Sequence, residues 1–380
     1  MSMPSLLGFN GTADYRQTVT TLPQKPVCLP YELRTEMTWM DFCHPVNPMG
    51  TPKPFIQAMH SALVEGELAY VPDRDGHVLR DELARYLGID RSCILVGTSV
   101  TKMIRATAQA YACGVVGIMM PAPADYALAI SNAGHDYIEI ENPTSFATLD
   151  AYTARSMYGD FDGMVLANPS YPTSRLLQSD TLVHYLETCG WVIVDESYIE
   201  LAFGAESLLP LIERYSNLIV VRSPSVTFGM PGVPLSYIAA NPATIKQIRQ
   251  FYDGADATMF AEVLAKSIVR HGDYLERTHE FLDTEIPWMQ CMLSLIPGIS
   301  IHPAEGNFVL CEFTPGEEMR LSVTCAEELI VKLQLAGFLV NRLAGSPGLP
   351  SDEFFCVCVR TREENQKLLD AMRGIINGDK

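Results

Sequence analysis

Trp191-Val192-Ile193-Val194-Asp195-Glu196-Ser197-Tyr198-Ile199-Glu200 is the stretch on which the fold turns. Four apolar residues run without alternation into a carboxylate, the pattern of a strand buried on both faces that ends at a polar edge. The same shape recurs on either side. Gly163–Ala167 runs into Asn168-Pro169-Ser170-Tyr171-Pro172-Thr173-Ser174, and 218–221 runs into Arg222-Ser223-Pro224-Ser225-Val226-Thr227-Phe228-Gly229. Further out, 92–96, 115–120 and 137–140 are short apolar runs, with helical patterns over 101–111 and 180–189 between them. Strands alternating with helices predict an α/β domain on a largely parallel sheet. In such sheets ligands sit beyond the carboxyl ends of the strands.

Helices are expected over 53–66, 78–87, 242–272 and 273–286. From about residue 300 the pattern becomes strand–helix–strand over 306–313, 325–336, 338–340 and 354–359, with a closing helix over 363–376. This predicts a second, smaller α+β domain. Pro4, Pro23, Pro26 and Pro30 mark residues 1–35 as an irregular arm. The expected division is an N-terminal arm and part of the small domain over 1–50, a large domain over 51–255 and a small domain over 256–380. A chain of 380 residues accommodates two domains.

Apolar residues make up 48% and charged residues 19%, far from a disordered composition. Lys+Arg number 27 against 45 Asp+Glu, a net charge of −18. That balance argues against nucleic acid and against anionic membrane surfaces. No apolar run nears the roughly 20 residues that span a bilayer, and no basic, signal-like start precedes one. The ten cysteines are scattered without zinc-ligand spacing, so they are read as reduced thiols in a cytoplasmic chain. His44 and His77 have no partners at metal spacing, so no metal is expected.

The segments at the strand ends carry the functional signal. Gly97-Thr98-Ser99-Val100-Thr101 opens a helix, and its free N–H groups form an anion cup or, at the least, a capped helix. With Asp195-Glu196-Ser197-Tyr198 and the run from Arg222 to Tyr237, the order and spacing resemble the pyridoxal-phosphate (PLP) enzymes of fold type I, in the class I/II aminotransferase superfamily. Histidinol-phosphate aminotransferases and threonine-phosphate decarboxylases are the nearest in pattern. Asp41-Phe42-Cys43-His44-Pro45-Val46-Asn47-Pro48-Met49-Gly50, Val71-Pro72-Asp73, Asn307-Phe308 and Thr361-Arg362-Glu363-Glu364-Asn365 extend the likeness over almost the whole chain. The resemblance implies a large PLP-fold domain, a smaller α+β domain and a homodimer.

It also implies roles. Asp195 stands where the partner of the pyridinium nitrogen belongs, and Tyr198 where a tyrosine meets the ring hydroxyl. Thr101, with the N–H groups of Ser99 and Val100, fits one side of a phosphate cup, and Ser223 and Ser225 fit the other. Asn168, Tyr171 and Arg342 fall on the substrate side. A carboxylate after a buried strand could equally be a strand-end cap, Tyr198 core filler, and Arg342 a surface ion pair or a stand-in for a lost arginine.

The departures are larger. The family pattern R-x-x-S-K-x-F-G-x-x-G-x-R-x-G-[YF] aligns without a gap, which puts Val226 at the lysine that joins the cofactor and Pro234 at the phosphate arginine. Tyr171 replaces the ring-hydroxyl asparagine, Pro123 the stacking aromatic and Cys356 the arginine that grips a substrate carboxylate. A valine has no donor, acceptor or proton to exchange, and losing one general base alone removes a factor of about 10²–10⁴. Lys102, next to Thr101, is the nearest lysine to the site. It is read as a charge beside a phosphate, a substitute anchor or a plain helix cation. No catalytic residue is identified. Two readings follow. In one, a diverged aminotransferase-like enzyme holds PLP or pyridoxamine phosphate without a covalent link and acts on an amino-acid-like amine. In the other, a non-catalytic binding or scaffold protein keeps the fold without the cofactor.

Overall fold

The computed structural model describes residues 39–378 apart from 74, 142–145, 147, 253–257, 271–272, 317–318 and 320. The arm expected over 1–35 lies outside the described residues. β1 (Met40–Asp41) pairs in parallel with a strand near residue 338, which ties the entry segment to the smaller domain.

The large domain is built on β2 (Ile94–Gly97), β3 (Val115–Met119), β4 (Asp136–Ile140), β5 (Gly163–Ala167), β6 (Trp191–Asp195), β7 (Leu218–Arg222) and β8 (Ser236–Ala240). They form one seven-stranded sheet in the order β2-β8-β7-β6-β5-β3-β4. β8 runs antiparallel to both its neighbours, and the other pairs are parallel. The apolar runs that carried the prediction are the central strands: every residue of β6 and β7 is buried. Helices cover both faces, so two apolar clusters sandwich the sheet. β8 was not foreseen, because its Ser236-Tyr237 start reads as loop. The crossings that put Asp195, Arg222 and the opening of the helix Val100–Gln109 at one end of the sheet are those of a doubly wound fold.

The small domain holds β9 (Ile299–Ile301), β10 (Phe308–Phe313), β11 (Phe338–Leu339), β12 (Asn341–Arg342) and β13 (Phe354–Cys358). Its four-stranded antiparallel sheet has the order β12-β13-β10-β9, and β11 pairs with β1. The final helix, Arg362–Asn377, opens on a capping box between Thr361 and Glu364.

Packing carries the larger core past residue 255. The helix Met259–Ile268 buries Ala261, Leu264, Ala265 and Ile268 in the same cluster as the sheet. The helix Asp273–Ser294 begins there with Tyr274 and ends in the small-domain cluster with Leu282, Ile286, Met289 and Leu293. It passes through Pro287 unbroken, where the sequence pattern stops at 286. The two stretches read as one helix over 242–272 are Pro242–Ile248 and Met259–Ile268.

The entry loop crosses over the segment that follows β7. Gly229 has φ +64°, and a Cβ there would lie 2.7 Å from the Gly50 carbonyl carbon. Asn47, buried, donates to the Thr227 carbonyl (2.8 Å) and to Thr278 Oγ1 (2.9 Å). Of the cysteines, 43, 93, 189, 311, 356 and 358 are buried and none of the described ones is in a disulfide, in keeping with reduced core thiols. No helix among the described residues is long and apolar enough to cross a membrane.

Candidate active site

Asp195 ends β6 and is buried, 8% exposed. Its Oδ2 accepts from the Tyr126 hydroxyl at 2.6 Å, and its Oδ1 accepts from the Ser197 N–H (2.9 Å) and hydroxyl (2.5 Å). Burial pushes the Asp195 carboxyl up, against the pull of Ser197 and Tyr126. No cation pairs with it among the described residues. Tyr126, in the first turns of the helix Ala124–Asn132 after β3, was missed by sequence reasoning. The available signal was its place at the third position beyond Pro123, at the carboxyl end of a central strand.

Tyr198 is half-buried. Its ring lies 5.5 Å from Phe308 and 6.3 Å from Tyr171. Tyr171 lies 5.3 Å from Phe308, and its hydroxyl accepts from Asn341 Nδ2. Burial pushes both phenols up, which keeps them neutral at ordinary pH. Together with Phe354, Cys356, Cys358 and Leu343 they form an apolar cluster between the domains.

On one side the predicted cup is a capped helix start. Ser99 caps the helix Val100–Gln109, its Oγ accepting from the Lys102 N–H at 3.4 Å, with Val100 and Thr101 half-buried at the helix start. On the other side the hydroxyls are engaged. Ser225 Oγ donates to the Val233 carbonyl and accepts from the Leu235 N–H (3.1 Å), and Ser223 Oγ donates to the Leu235 carbonyl (3.2 Å). Val226 packs against the small-domain core, and its carbonyl accepts from the Asn47 N–H at 3.2 Å.

The remaining predicted residues are placed as follows. Asn168 faces its own loop: Oδ1 accepts from the Leu177 N–H (2.9 Å), and its N–H donates to the Asp195 carbonyl (2.8 Å). Arg342 is paired with Phe355 in register, on the helix-covered face of the small sheet, and its guanidinium meets Glu327 at 3.2 Å. It is the ion pair, turned away from Tyr171. The neighbouring Asn341, in register with Cys356, is the residue of that strand that faces the aromatic cluster.

Below this site a buried charge network braces the segment after β7. Arg222, 5% exposed, donates to Glu196 Oε2 through Nε (3.0 Å) and Nη2 (2.7 Å), to Glu200 Oε1 (2.7 Å), and to Ser207 Oγ. Burial works against its charge, but Tyr237, Glu200 and Glu196 outweigh it and keep it protonated. Glu200 also accepts from Thr227 Oγ1 at 3.1 Å. Elsewhere Asp73, Asp75 and His77, unpaired at metal spacing in the sequence, bring their ligand atoms within 4.8 Å of one another. There the Asp73 carboxylate accepts from the Asp75 and His77 N–H groups and meets His77 Nδ1 at 2.6 Å, so it is already engaged.

Residues 37–372 match the family model of aminotransferase class I and II. The chain belongs to that family. It is 25% identical over 360 residues to a histidinol-phosphate aminotransferase of Caldanaerobacter subterraneus subsp. tengcongensis, covering 92% of this chain and 94% of that one. The L-threonine-O-3-phosphate decarboxylase of Porphyromonas gingivalis superposes with a TM-score of 0.74 at 22% identity, covering 88% of this chain and 98% of that one. The histidinol-phosphate aminotransferase of Sinorhizobium meliloti, solved in complex with pyridoxal-5'-phosphate, superposes with a TM-score of 0.78 at 18% identity, covering 98% of this chain and 100% of that one. The architecture is the PLP-dependent transferase fold, a large mostly parallel sheet with a smaller C-terminal domain.

The residues of this chain fit one half of such a cofactor. A buried, oriented carboxylate that lacks a cation suits a protonated ring nitrogen. The helix start at Ser99–Thr101 suits a phosphate. Val226 offers no covalent link, and Ser223 and Ser225 have turned to the backbone of their own loop.

Proposed function

We propose that this aminotransferase-like protein holds PLP or pyridoxamine phosphate without a covalent bond and binds an amino-acid-like amine beside it. The observation that carries the reading is Asp195. Tyr126 and Ser197 aim its carboxylate, while burial penalises the charge unless a cation arrives. When bound, such a cofactor supplies an electron sink. This chain's residues would hold its ring nitrogen at Asp195, pack its ring beside Tyr198 and receive its phosphate at Ser99, Val100 and Thr101. No side chain at position 226 can move a proton. The resemblance adds a homodimer, supported by the exposed apolar residues Val64, Leu68, Tyr70 and Val71.

A second reading, a binding or scaffold protein without the cofactor, is favoured by the Ser223 and Ser225 hydroxyls being bound within the loop and by Val226 packing into the small-domain core. An absorbance titration of the ligand-free protein with PLP and with pyridoxamine phosphate, repeated on Asp195→Ala, separates the two. Saturable binding of either form, weakened about 10- to 100-fold in the variant as for a lost charged hydrogen bond, supports the first. Absence of binding to either form leaves the second.

A further inference from the structure

Asn341 is 5% exposed and sits on the sheet face of Cys356, against the aromatic cluster. Its Nδ2 donates to the Tyr171 hydroxyl, and its Oδ1 is buried with no hydrogen-bond partner. Buried amide oxygens are almost always paired, so an unpaired one beside a ligand site marks a position for a donor. Tyr171 accepts from Asn341, so its own O–H remains to be given. If the amide is turned over, Tyr171 donates instead, and the pair is left with the two amide N–H groups and a phenol lone pair. In either orientation the pair presents both donors and an acceptor and no charge.

The surroundings agree. Directly across the strand pair stands Cys356, and Arg342 points to Glu327 on the opposite face. Tyr198, next to Tyr171, links this pair to the Asp195 end of the site.

We propose that Asn341 and Tyr171 recognise an uncharged donor–acceptor group, a primary amide or hydroxymethyl, on the amine ligand where a carboxylate would otherwise sit. A carboxylate has no donor for the unpaired acceptor and would lose its water against an apolar wall. The inference rests on the cofactor reading above, and its probes are chosen to separate the two.

The test is calorimetric titration of the full chain with pyridoxamine phosphate, with N-(5'-phosphopyridoxyl)-L-alanine and with N-(5'-phosphopyridoxyl)-L-alaninamide. The amide conjugate is expected to bind about tenfold more tightly than the carboxylate conjugate, the discrimination of a site built to hydrogen-bond its ligand. Asn341→Leu should erase most of that preference and leave pyridoxamine phosphate affinity within about twofold, and Tyr171→Phe should erase the preference as well. A merely structural tie would alter all three affinities together. If pyridoxamine phosphate fails to bind the wild type, the cofactor reading falls and this inference with it. If pyridoxamine phosphate binds but the carboxylate conjugate is equal or better, or the preference survives both substitutions, only this inference is overturned.

Discussion

Removing Arg222, the last residue of β7, should strongly destabilise the protein. Its guanidinium has 6% exposure and faces Glu196, which has none. Arg222→Met keeps most of the side-chain volume and deletes two hydrogen bonds to Glu196 Oε2, one to Glu200 and one to Ser207. Glu196 is left with the Leu208 N–H (2.7 Å) and the Ser207 hydroxyl (2.9 Å) and no countercharge. Glu200 is 16% exposed and keeps Thr227, so its loss is smaller. Breaking a buried pair of this kind costs about 3–5 kcal/mol, because the orphaned charge stays in the interior. At a urea dependence of about 2–3 kcal/mol per molar, the unfolding midpoint should fall by about 1–2.5 M, read from tryptophan fluorescence. The double variant Arg222→Met/Glu196→Leu removes both charges and should recover a large part of that loss. A shift under about 0.3 M for the single variant, or a double variant less stable than the single one, would refute the assignment of the cost to an uncompensated charge.

Two further outcomes bear on the cofactor half of the site. Val226→Lys places a nucleophile where the resemblance puts the cofactor lysine, in a chain whose proposed ring-nitrogen partner is Asp195. Incubation with PLP followed by borohydride should then add the mass of one cofactor at residue 226 alone, and a folded variant that stays unmodified would count against a retained cofactor pocket. Asp195→Asn tests the burial of the charge in the ligand-free protein. Because the native carboxyl lies above its unfolded value, the stability Asp195 contributes is complete below about pH 3.9 and lost as pH rises through the native value. The variant should therefore gain on the wild type as pH rises from about 4. A gap in chemical unfolding free energy that is flat across that range would show that Tyr126 and Ser197 fully offset the burial.

The strands were legible because a strand buried on both faces leaves an uninterrupted apolar run, and Gly163–Ala167 and Trp191–Asp195 are such runs. β8 was hidden by its polar first residue, Ser236, which is buried where the strand pairs with Gly97 of β2. Pro287 misplaced a helix end. A proline removes one hydrogen bond and kinks a helix, yet this helix is held on both sides of it by the small-domain core, through Leu282 and Ile286 before it and Met289 and Leu293 after it. The site residues divide along the same line. Asp195 and the helix start at Ser99 follow from their places at strand ends. Tyr126 and Asn341 required the tertiary structure, because a partner 69 residues away in one case and 170 in the other has no local signature. Arg342 and Asn341 exchange roles for a still simpler reason: adjacent strand residues face opposite sides, and only the register with Cys356 tells which side is which.

The segment 223–235 and the end of β6 differ in how their polar groups are satisfied. In the segment, the hydroxyls of Ser223 and Ser225 close on backbone groups of 233–235, Val226 fills a core, and Arg222 with Glu200 and Thr227 braces the whole from below. Every one of these groups is satisfied by the protein itself, so nothing there requires a ligand for stability. Asp195 is different: its three hydrogen bonds orient a charge but do not neutralise it. A site with no further use for a cation would be more stable with an asparagine, which keeps the oxygen that accepts from Ser197 and removes the desolvated charge. A carboxylate at Asp195 together with a valine at position 226, where the resemblance puts the lysine, is the combination that the proposed non-covalent cofactor calls for, and for that reason the ring nitrogen is the contact on which the first titration turns.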